Sequence, residues 1–250
     1  MYRIFAFLFL LVIGSFKAQY LKLSIKDTVF NYSVKDEFNP LKIVIGITNV
    51  TNTDVGFVLD TNSLGVYEQF DKYIIEENTP EESGLYENIF SPRIILFSHN
   101  TTDSLKLDFY LNDIDLTEKA LLQEYNRQKK ISEDEVLNLK KYSKTYFPKK
   151  SLQFAEKAKY INDNFVILKA NETKTITLNF DPKIYKNDGN FKGIGFPVKK
   201  GNLYDFIIKI HTDAAKTSMY LDNTNKRVVK DKIKLISEDI YLKGLLLNVN

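Results

Sequence analysis

The chain contains no cysteine. Disulfide bonds, thiol catalysis, iron–sulfur clusters and cysteine-ligated zinc sites are therefore excluded. The lipid-bearing cysteine of bacterial lipoproteins is missing for the same reason. A chain of 250 residues without disulfides must be held together by buried apolar side chains, and its length suffices for one large domain or two small ones.

Histidine is scarce and tryptophan is absent. The two histidines, His99 and His211, are far apart in sequence, and neither has another histidine three or four residues away, so no zinc-binding helix motif is present. The serine-hydrolase pattern G-x-S-x-G and a phosphate-binding loop are absent as well. We expect neither a bound metal nor an organic cofactor, although the Asn- and Asp-rich stretches 112–115 and 221–225 are either turns or oxygen ligands for calcium.

An excess of charge of either sign is also missing. The 35 basic residues stand against 32 acidic ones. Without residues 1–19, which include Arg3 and Lys17, the count becomes 33 against 32, a formal net charge of +1. A net charge this small argues against a nucleic-acid partner.

Only one long apolar run occurs, and it lies at the N-terminus. Arg3 precedes ten consecutive apolar residues, 4–13, and small and polar residues follow up to Gln19. This order is typical of a secretory signal peptide. Ten helical residues span about 15 Å, roughly half of the hydrocarbon core, so a membrane-anchoring helix is the weaker alternative.

The expected signal peptide has three consequences for the mature protein. Cleavage after Ala18 would make the mature chain begin near Gln19 or Tyr20. No later stretch approaches the ~20 apolar residues that a membrane helix needs, so we expect no transmembrane span after cleavage. The protein is then expected to be secreted or periplasmic.

The first apolar segment after the signal alternates with a period of two. In residues 41–49 the side chains of Ile43, Ile45 and Ile47 fall on one face, which predicts a half-buried strand. The polar stretch 49–54, NVTNTD, predicts a turn, because Asn and Asp side chains bond to nearby backbone groups. The apolar run VGFVL then resumes a strand. Further strand-like segments are found at 28–35, 93–98, 104–111, 165–180, 201–210 and 239–249.

Helical periodicity interrupts this pattern at Asp115. Two capping-box signatures, at Asp115 and at Ser132, predict two helix starts, and Pro148 closes the segment. We therefore predict two antiparallel helices within residues 116–147, and a third short helix at 151–160. The side chains expected to pack the two helices together are Leu121, Leu122, Tyr125, Val136, Leu139 and Tyr142.

The late segments resemble the last strands of an immunoglobulin-like β-sandwich. In that fold a tyrosine near the start of the sixth strand ties a corner through its hydroxyl, and Tyr204 in LYDFIIKI resembles it. Phe206 stands where antibody domains place a disulfide cysteine, and ITNVTNTDVGFV resembles the second and third strands with their loop. The sequence departs from the family in lacking the cysteine pair and the core tryptophan, and in its helical insertion. The resemblance implies a fold and not an activity.

These observations predict a mainly β protein. The expected architecture is a single immunoglobulin-like β-sandwich over residues 20–250, with a helical hairpin inserted at about 116–160. Two smaller sandwiches, divided near residue 115 or 150, are the alternative.

Two stretches carry opposite charge. The acidic aromatic segment, residues 65–92, holds seven acidic residues and one basic one, and the basic segment, residues 127–160, holds ten basic residues and four acidic ones. They are either solvated faces, or faces that pair with each other, or a surface for a partner. The candidate binding residues are Tyr67, Phe70, Tyr73, Tyr86, Lys140, Lys141 and Lys144.

Two classes of function agree with this sequence. The first is an exported, non-catalytic binding or assembly module of the cell envelope, whose partner is a protein or an anionic envelope component. The alternative is a secreted hydrolase, for example a glycoside hydrolase, because such a site needs only two carboxyl groups ~5–10 Å apart, drawn from anywhere in the sequence.

Overall fold

The computed structural model describes residues 19–35, 39–66, 89–111, 118–183, 186–187, 192–230 and 232–250. The predicted signal peptide, apart from Gln19, lies outside these ranges. Four of the candidate binding residues also lie outside them: Tyr67, Phe70, Tyr73 and Tyr86. The Asp115 capping box and the stretch 112–115 fall outside them as well.

Within those ranges the chain is mainly β, as predicted, with fourteen strands and four helices. The strands are β1 (Leu21–Ile25), β2 (Val29–Tyr32), β3 (Leu41–Asn49), β4 (Val55–Val58), β5 (Gly65–Val66), β6 (Arg93–Ser98), β7 (Asp108–Leu111), β8 (Phe165–Leu168), β9 (Thr173–Phe180), β10 (Lys186–Asn187), β11 (Lys192–Gly195), β12 (Leu203–His211), β13 (Lys234–Leu235) and β14 (Asp239–Val249). The helices are α1 (Glu118–Tyr146), α2 (Leu152–Asp163), α3 (Ala214–Tyr220) and α4 (Asn223–Val229). None of the described helices combines the length and apolar composition needed to cross a membrane.

The largest sheet has five strands in the order β2-β14-β12-β6-β5. Its centre is antiparallel, because β12 pairs with both β14 and β6 in that orientation. The two outer strands run parallel to their neighbours, β2 to β14 and β5 to β6. A second sheet, β1-β3-β9, is antiparallel throughout.

One buried core is shared by these two sheets. The predicted alternation of β3 is confirmed, since Ile43, Ile45 and Ile47 are fully buried. From the other sheet Phe206 reaches this core, with its ring centroid 6.4 Å from that of Phe180 in β9. Burial of one such side chain contributes ~1.5–3 kcal/mol, so this cluster is what holds a chain without disulfides together.

The strand formed by VGFV lies elsewhere than expected. It is β4, which pairs with β8 and β13 in a separate small sheet, while β6 is the strand that lies beside β12. All four residues of β4 are buried, so the strand has no solvent-facing side. A Cβ atom at Gly56 would lie 2.9 Å from the Phe165 ring, so only glycine allows this close packing.

The two helices predicted within residues 116–147 are a single helix in the structure. Helix α1 continues through Ser132 without a break, because no Gly or Pro interrupts residues 118–146 and each added residue of a helix gains a hydrogen bond. The helical hairpin is instead formed by α1 and α2, which begins at the N-cap Ser151 and extends to Asp163, beyond the expected limit. Because residues 118–146 form one helix, the predicted packing of two helices within residues 116–147 is wrong. Leu139 is only half-buried and Val136 is exposed, while the side chains of Leu121, Leu122 and Tyr125 lie outside what the structure describes.

Tyr204 provides a direct test of the core. It is 4% exposed, and its hydroxyl oxygen accepts a hydrogen bond from the backbone N–H of Lys199 (2.9 Å), upstream as expected. Tyr204→Phe should lower the free energy of unfolding by about 1 kcal/mol, because that N–H group loses its acceptor. Tyr241→Phe is the matched control, since Tyr241 is 45% exposed. Urea unfolding of both variants measures the difference, and equal effects would contradict this role.

Candidate functional site

Three long connections reach the same end of the two main sheets, where β3 and β12 end and β6, β9 and β14 begin. The first, residues 50–92, joins β3 to β6, the second, residues 112–172, joins β7 to β9, and the third, residues 212–238, joins β12 to β14. Each contributes one strand to the small sheet β13-β4-β8. We call the described residues of these three connections the end module.

The end module has its own buried cluster. The first connection supplies Val58, Ile89 and Phe90, the second supplies Ala158 and Ile161, and the third supplies Tyr220 and Leu221. The ring of Phe154 in α2 packs against that of Tyr220 in α3, with centroids 4.9 Å apart. Three segments distant in sequence therefore bury their apolar surface against one another, and the module is ordered by packing.

The side chain of Asn162 joins the helices of this module. Its amide nitrogen donates to the hydroxyl of Tyr142 in α1 (3.1 Å) and to the carbonyl of Tyr220 in α3 (2.9 Å). Its oxygen accepts from the backbone N–H of Asp222 (3.0 Å) and from the side chain of Asn225 in α4 (2.9 Å). One side chain on α2 thus contacts α1, α3, α4 and the α3–α4 junction, which fixes their relative positions.

Asp60 fastens the two ends of the acidic aromatic segment together. The carboxylate is 6% exposed and accepts hydrogen bonds from Ser63, which precedes the segment, and from Ser91 within its last residues (3.3 Å). The hydroxyl of Tyr160 in α2 also donates to it (3.3 Å). Burial raises the pKa of Tyr160, and the Asp60 charge raises it further, so this phenol remains a neutral donor.

Asn49 organises the start of the first connection. It is fully buried, and its amide nitrogen donates to the carbonyls of Thr53 (2.8 Å) and of Lys169 in the β8–β9 turn (2.9 Å). Its oxygen accepts from the backbone N–H of Thr51 (3.0 Å). The turn chemistry predicted for NVTNTD is confirmed, and it also links the first connection to the second.

Where the end module meets the five-stranded sheet, the carboxylate of Asp239 contacts two side chains, His211 and Lys209. Its carboxylate accepts from Nδ1 of His211 (2.7 Å) and forms an ion pair with Lys209 (2.9 Å). The ring of His211 stacks on Phe90, with centroids 6.1 Å apart and an interplanar angle of 15°. The last turn of the acidic segment therefore rests on the end of β12.

The predicted basic residues share one exposed side of α1. Residues separated by three or four positions lie on one face of a helix, and this spacing relates Lys130, Leu137, Lys140, Lys141 and Lys144 through Glu133 and Asp134. We call these five residues the basic face. All five are exposed, and Leu137 in their middle is 54% exposed. The opposite side of the helix, with Leu139 and Tyr142, is half-buried.

The lysines of this face form no ion pair with any residue that the structure describes. Of the sequence-predicted site residues, Lys140, Lys141 and Lys144 are therefore brought together on a single surface. How that surface lies relative to Tyr67, Phe70, Tyr73 and Tyr86 is outside the described residues.

Two further carboxylates of the end module cap helices. Asp213 caps α3 by accepting from Lys216 N (2.9 Å), and Asp222 caps α4 by accepting from Asn225 N (2.9 Å). The stretch 221–225, considered for calcium, is thus a helix start. In the described ranges no group of three or more His, Asp or Glu side chains is arranged to hold a metal ion.

The sequence alone does not identify Asp60 or Asn162 as site residues. A weak signal existed for Asp60, which directly follows the apolar run VGFVL and so stands at the end of a buried strand. Asn162 lies in a helix among Lys and Asp residues and offers no local signal, because its partners are about 60 residues away in the third connection.

No protein-family model, no curated protein and no solved structure matches this chain. The geometry of its own residues is therefore what supports a function.

The Asp239 contact predicts a pH dependence of stability. The hydrogen bond from His211, and then the hydrogen bond and the charge of Lys209, lower the pKa of Asp239 to about 2 against the partial opposition of burial. A carboxyl whose pKa is lowered in the folded state stabilises fully above its unfolded pKa of ~3.9, and this contribution is lost as the pH falls towards 2. Because Asp239 is 39% exposed, solvent screening reduces the contribution to about 1 kcal/mol.

Asp239→Asn should therefore destabilise the protein near neutral pH, and the difference from wild type should shrink as the pH falls from about 4 to about 2. Urea unfolding at a series of pH values measures it. Asp163→Asn serves as the control, because its ion pair with Lys159 is exposed. A difference that does not change with pH would contradict the assignment.

Proposed function

We propose that this protein is an exported, non-catalytic binding module of the cell envelope. Its frame is an immunoglobulin-like β-sandwich, and the basic face of α1 contacts an anionic partner. The observation that carries the proposal is the exposure of this face on a helix whose other side is anchored in the end module.

The strand pairing supports the immunoglobulin-like frame. In that fold strands A, B, E and D share one sheet and strands C, F and G share the other, and strand D has no counterpart beside β9 among the described residues. Strands β1, β3 and β9 have the order A-B-E, and β6, β12 and β14 have the order C-F-G. Tyr204 opens the strand in the F position and makes the hydrogen bond expected at that corner. Phe206 contacts Phe180 across the core where antibody domains have a disulfide.

The same correspondence gives the end module a functional position. In antibody variable domains the B–C and F–G loops lie at one end of the sandwich and bind the antigen. Here the first connection replaces the B–C loop and the third replaces the F–G loop. The analogy of fold indicates the place of the contact and not the identity of the partner.

The shape of α1 supports a role in contact rather than in packing. Its 29 residues extend ~43 Å, whereas the 12 residues of α2 extend only ~18 Å. All the residues from 129 to 138 are exposed, so this stretch of ten residues in α1 does not pack against its partner helix. A helix that packed only for stability would not need this extension, because most helical stability comes from packing.

The chemistry of the face selects an anionic partner. Lys130, Lys140, Lys141 and Lys144 present ammonium groups on one exposed side of α1, and Leu137 adds an apolar contact between them. The acidic Glu133 and Asp134 lie on the same side, so the four lysines leave a net charge of +2 there. Such an arrangement attracts an acidic protein surface or an anionic envelope component through charge, and gains further affinity from apolar contact. The acidic aromatic segment, including Tyr67, Phe70, Tyr73 and Tyr86, is a second proposed contact surface, and the argument for the basic face does not depend on it.

Replacement of three lysines tests this function. The mature chain, purified from the envelope fraction with a mass that lacks the first 18 or 19 residues, is tested for binding to vesicles of anionic lipid and to polyglutamate. We expect Lys140→Gln/Lys141→Gln/Lys144→Gln to weaken binding by about tenfold or more, and added salt to weaken wild-type binding steeply. The melting temperature should be nearly unchanged, because the three side chains are exposed and make no ion pair within the described residues.

The matched control is Lys42→Gln/Lys199→Gln/Lys200→Gln, which removes three exposed lysines away from α1. It should bind as the wild type does. Equal loss of binding in both triple variants would show a general charge effect and contradict a specific face. A lower melting temperature of the α1 variant, with unchanged binding, would show that the lysines pair within the fold.

A further inference from the structure

The outer edge of β9 has no strand paired with it among the residues that the structure describes. In the antiparallel ladder between β3 and β9, Asn49 N donates to Glu172 O (2.9 Å). Because hydrogen-bonded pairs alternate, the even-numbered residues of β9 direct their backbone groups towards β3. The odd-numbered residues Thr173, Thr175, Thr177 and Asn179 therefore direct their N–H and C=O groups outward, and no described residue bonds to those groups.

This edge also lacks the usual devices that prevent strand pairing. Natural edge strands are protected by proline, by bulges, by several charges or by short length. Strand β9 has eight residues, keeps its register with β3 throughout and contains no proline. Its only charged residue is Lys174, near one end. The four side chains at the outward positions are exposed and uncharged.

The opposite edge of the same sheet is different. Strand β1 has only five residues, is followed directly by Lys26 and Asp27, and carries Lys22. Its beginning is bound by Glu238, whose carboxylate accepts from the backbone N–H of Leu21 (2.8 Å). Of the two edges, β9 is therefore the one built to accept another strand.

We propose that β9 pairs antiparallel with β9 of a second copy of this chain. The outward residues then pair with one another, so that Thr175 lies opposite Thr177 of the second copy and Thr173 lies opposite its Asn179. Four such pairs form, and each exchanges two hydrogen bonds, which gives about eight in total. The two three-stranded sheets become one continuous six-stranded sheet.

The sequence of β9 favours its own copy as the partner. The pairing is centred on Ile176, which is 5% exposed, and it brings the two Ile176 side chains together on the core side of the sheet. On the solvent side the pairs are Thr with Thr and Thr with Asn, so no like charges oppose each other. Since a single strand edge buries little apolar surface, we expect a weak dimer, with a dissociation constant on the order of 10 µM.

A pair of charge variants tests both the dimer and its register. Thr175→Lys/Thr177→Lys places two lysines directly opposite two lysines of the second copy, and should raise the dissociation constant about tenfold or more. The control Thr175→Lys/Thr177→Glu places lysine opposite glutamate in the same register, and should dimerise as the wild type does. Both pairs of changes lie on the exposed side of β9, so neither should alter the fold.

Sedimentation equilibrium of the mature chain over a range of concentrations gives the masses, and circular dichroism confirms the fold of each variant. The proposal is supported if wild type and the Lys/Glu variant dimerise and the Lys/Lys variant does not. A wild type that stays monomeric at about tenfold above the expected dissociation constant overturns it. A Lys/Lys variant that dimerises like the wild type places the contact on another surface, and also overturns it.

Discussion

The end module depends on the side chain of Asn162. Its two polar atoms contact helix α1, helix α3, helix α4 and the junction before α4, and they do so from α2. Burial raises the pKa of Tyr142, so its hydroxyl stays neutral as the partner of Asn162. Without this side chain, the Tyr220 carbonyl and the Asp222 N–H would lose partners in a partly buried site, which costs more than a surface hydrogen bond. The position of α1, and with it the basic face, therefore follows from this amide group together with the apolar packing of the end module.

Strand order sets the larger constraint. The ends of β3 and β12 and the starts of β6, β9 and β14 meet at one end of the two main sheets, so three long connections must share a small space. The three connections pack into a second buried cluster and form the small sheet β13-β4-β8, to which each connection contributes one strand. The Asp60 carboxylate then closes the base of the acidic segment against α2. The shared core stabilises the two main sheets, and the end module anchors the exposed helix α1 at one end of them.

Much of the frame follows from local patterns. The alternation of Ile43, Ile45 and Ile47 predicted a strand, and the position of Tyr204 predicted its buried hydroxyl, because both signals lie within a few residues. The break expected at Ser132 was wrong, since a capping signature inside a run of good helix formers does not end a helix. The partners of β4 were not predictable, because a fully buried strand carries no information about which neighbour it has. In the candidate site, the lysines could be predicted from the run of positive charge. Asn162 could not, because its hydrogen bonds form only when segments distant in sequence pack together.

The basic face and the open edge of β9 belong to different parts of the molecule, and only the basic face requires an ordered end module. Hydrogen exchange of Asn162→Ala tests that order most directly, with Asn248→Ala as the control, since the Asn248 side chain makes an exposed hydrogen bond to Asn31. If Asn162 holds the end module together, amides of α2, α3 and β4 lose protection together in this variant, by about 10- to 100-fold, while those of β12 and β14 keep theirs. Loss confined to α2, or equal loss throughout both sheets, would contradict a module that Asn162 holds together.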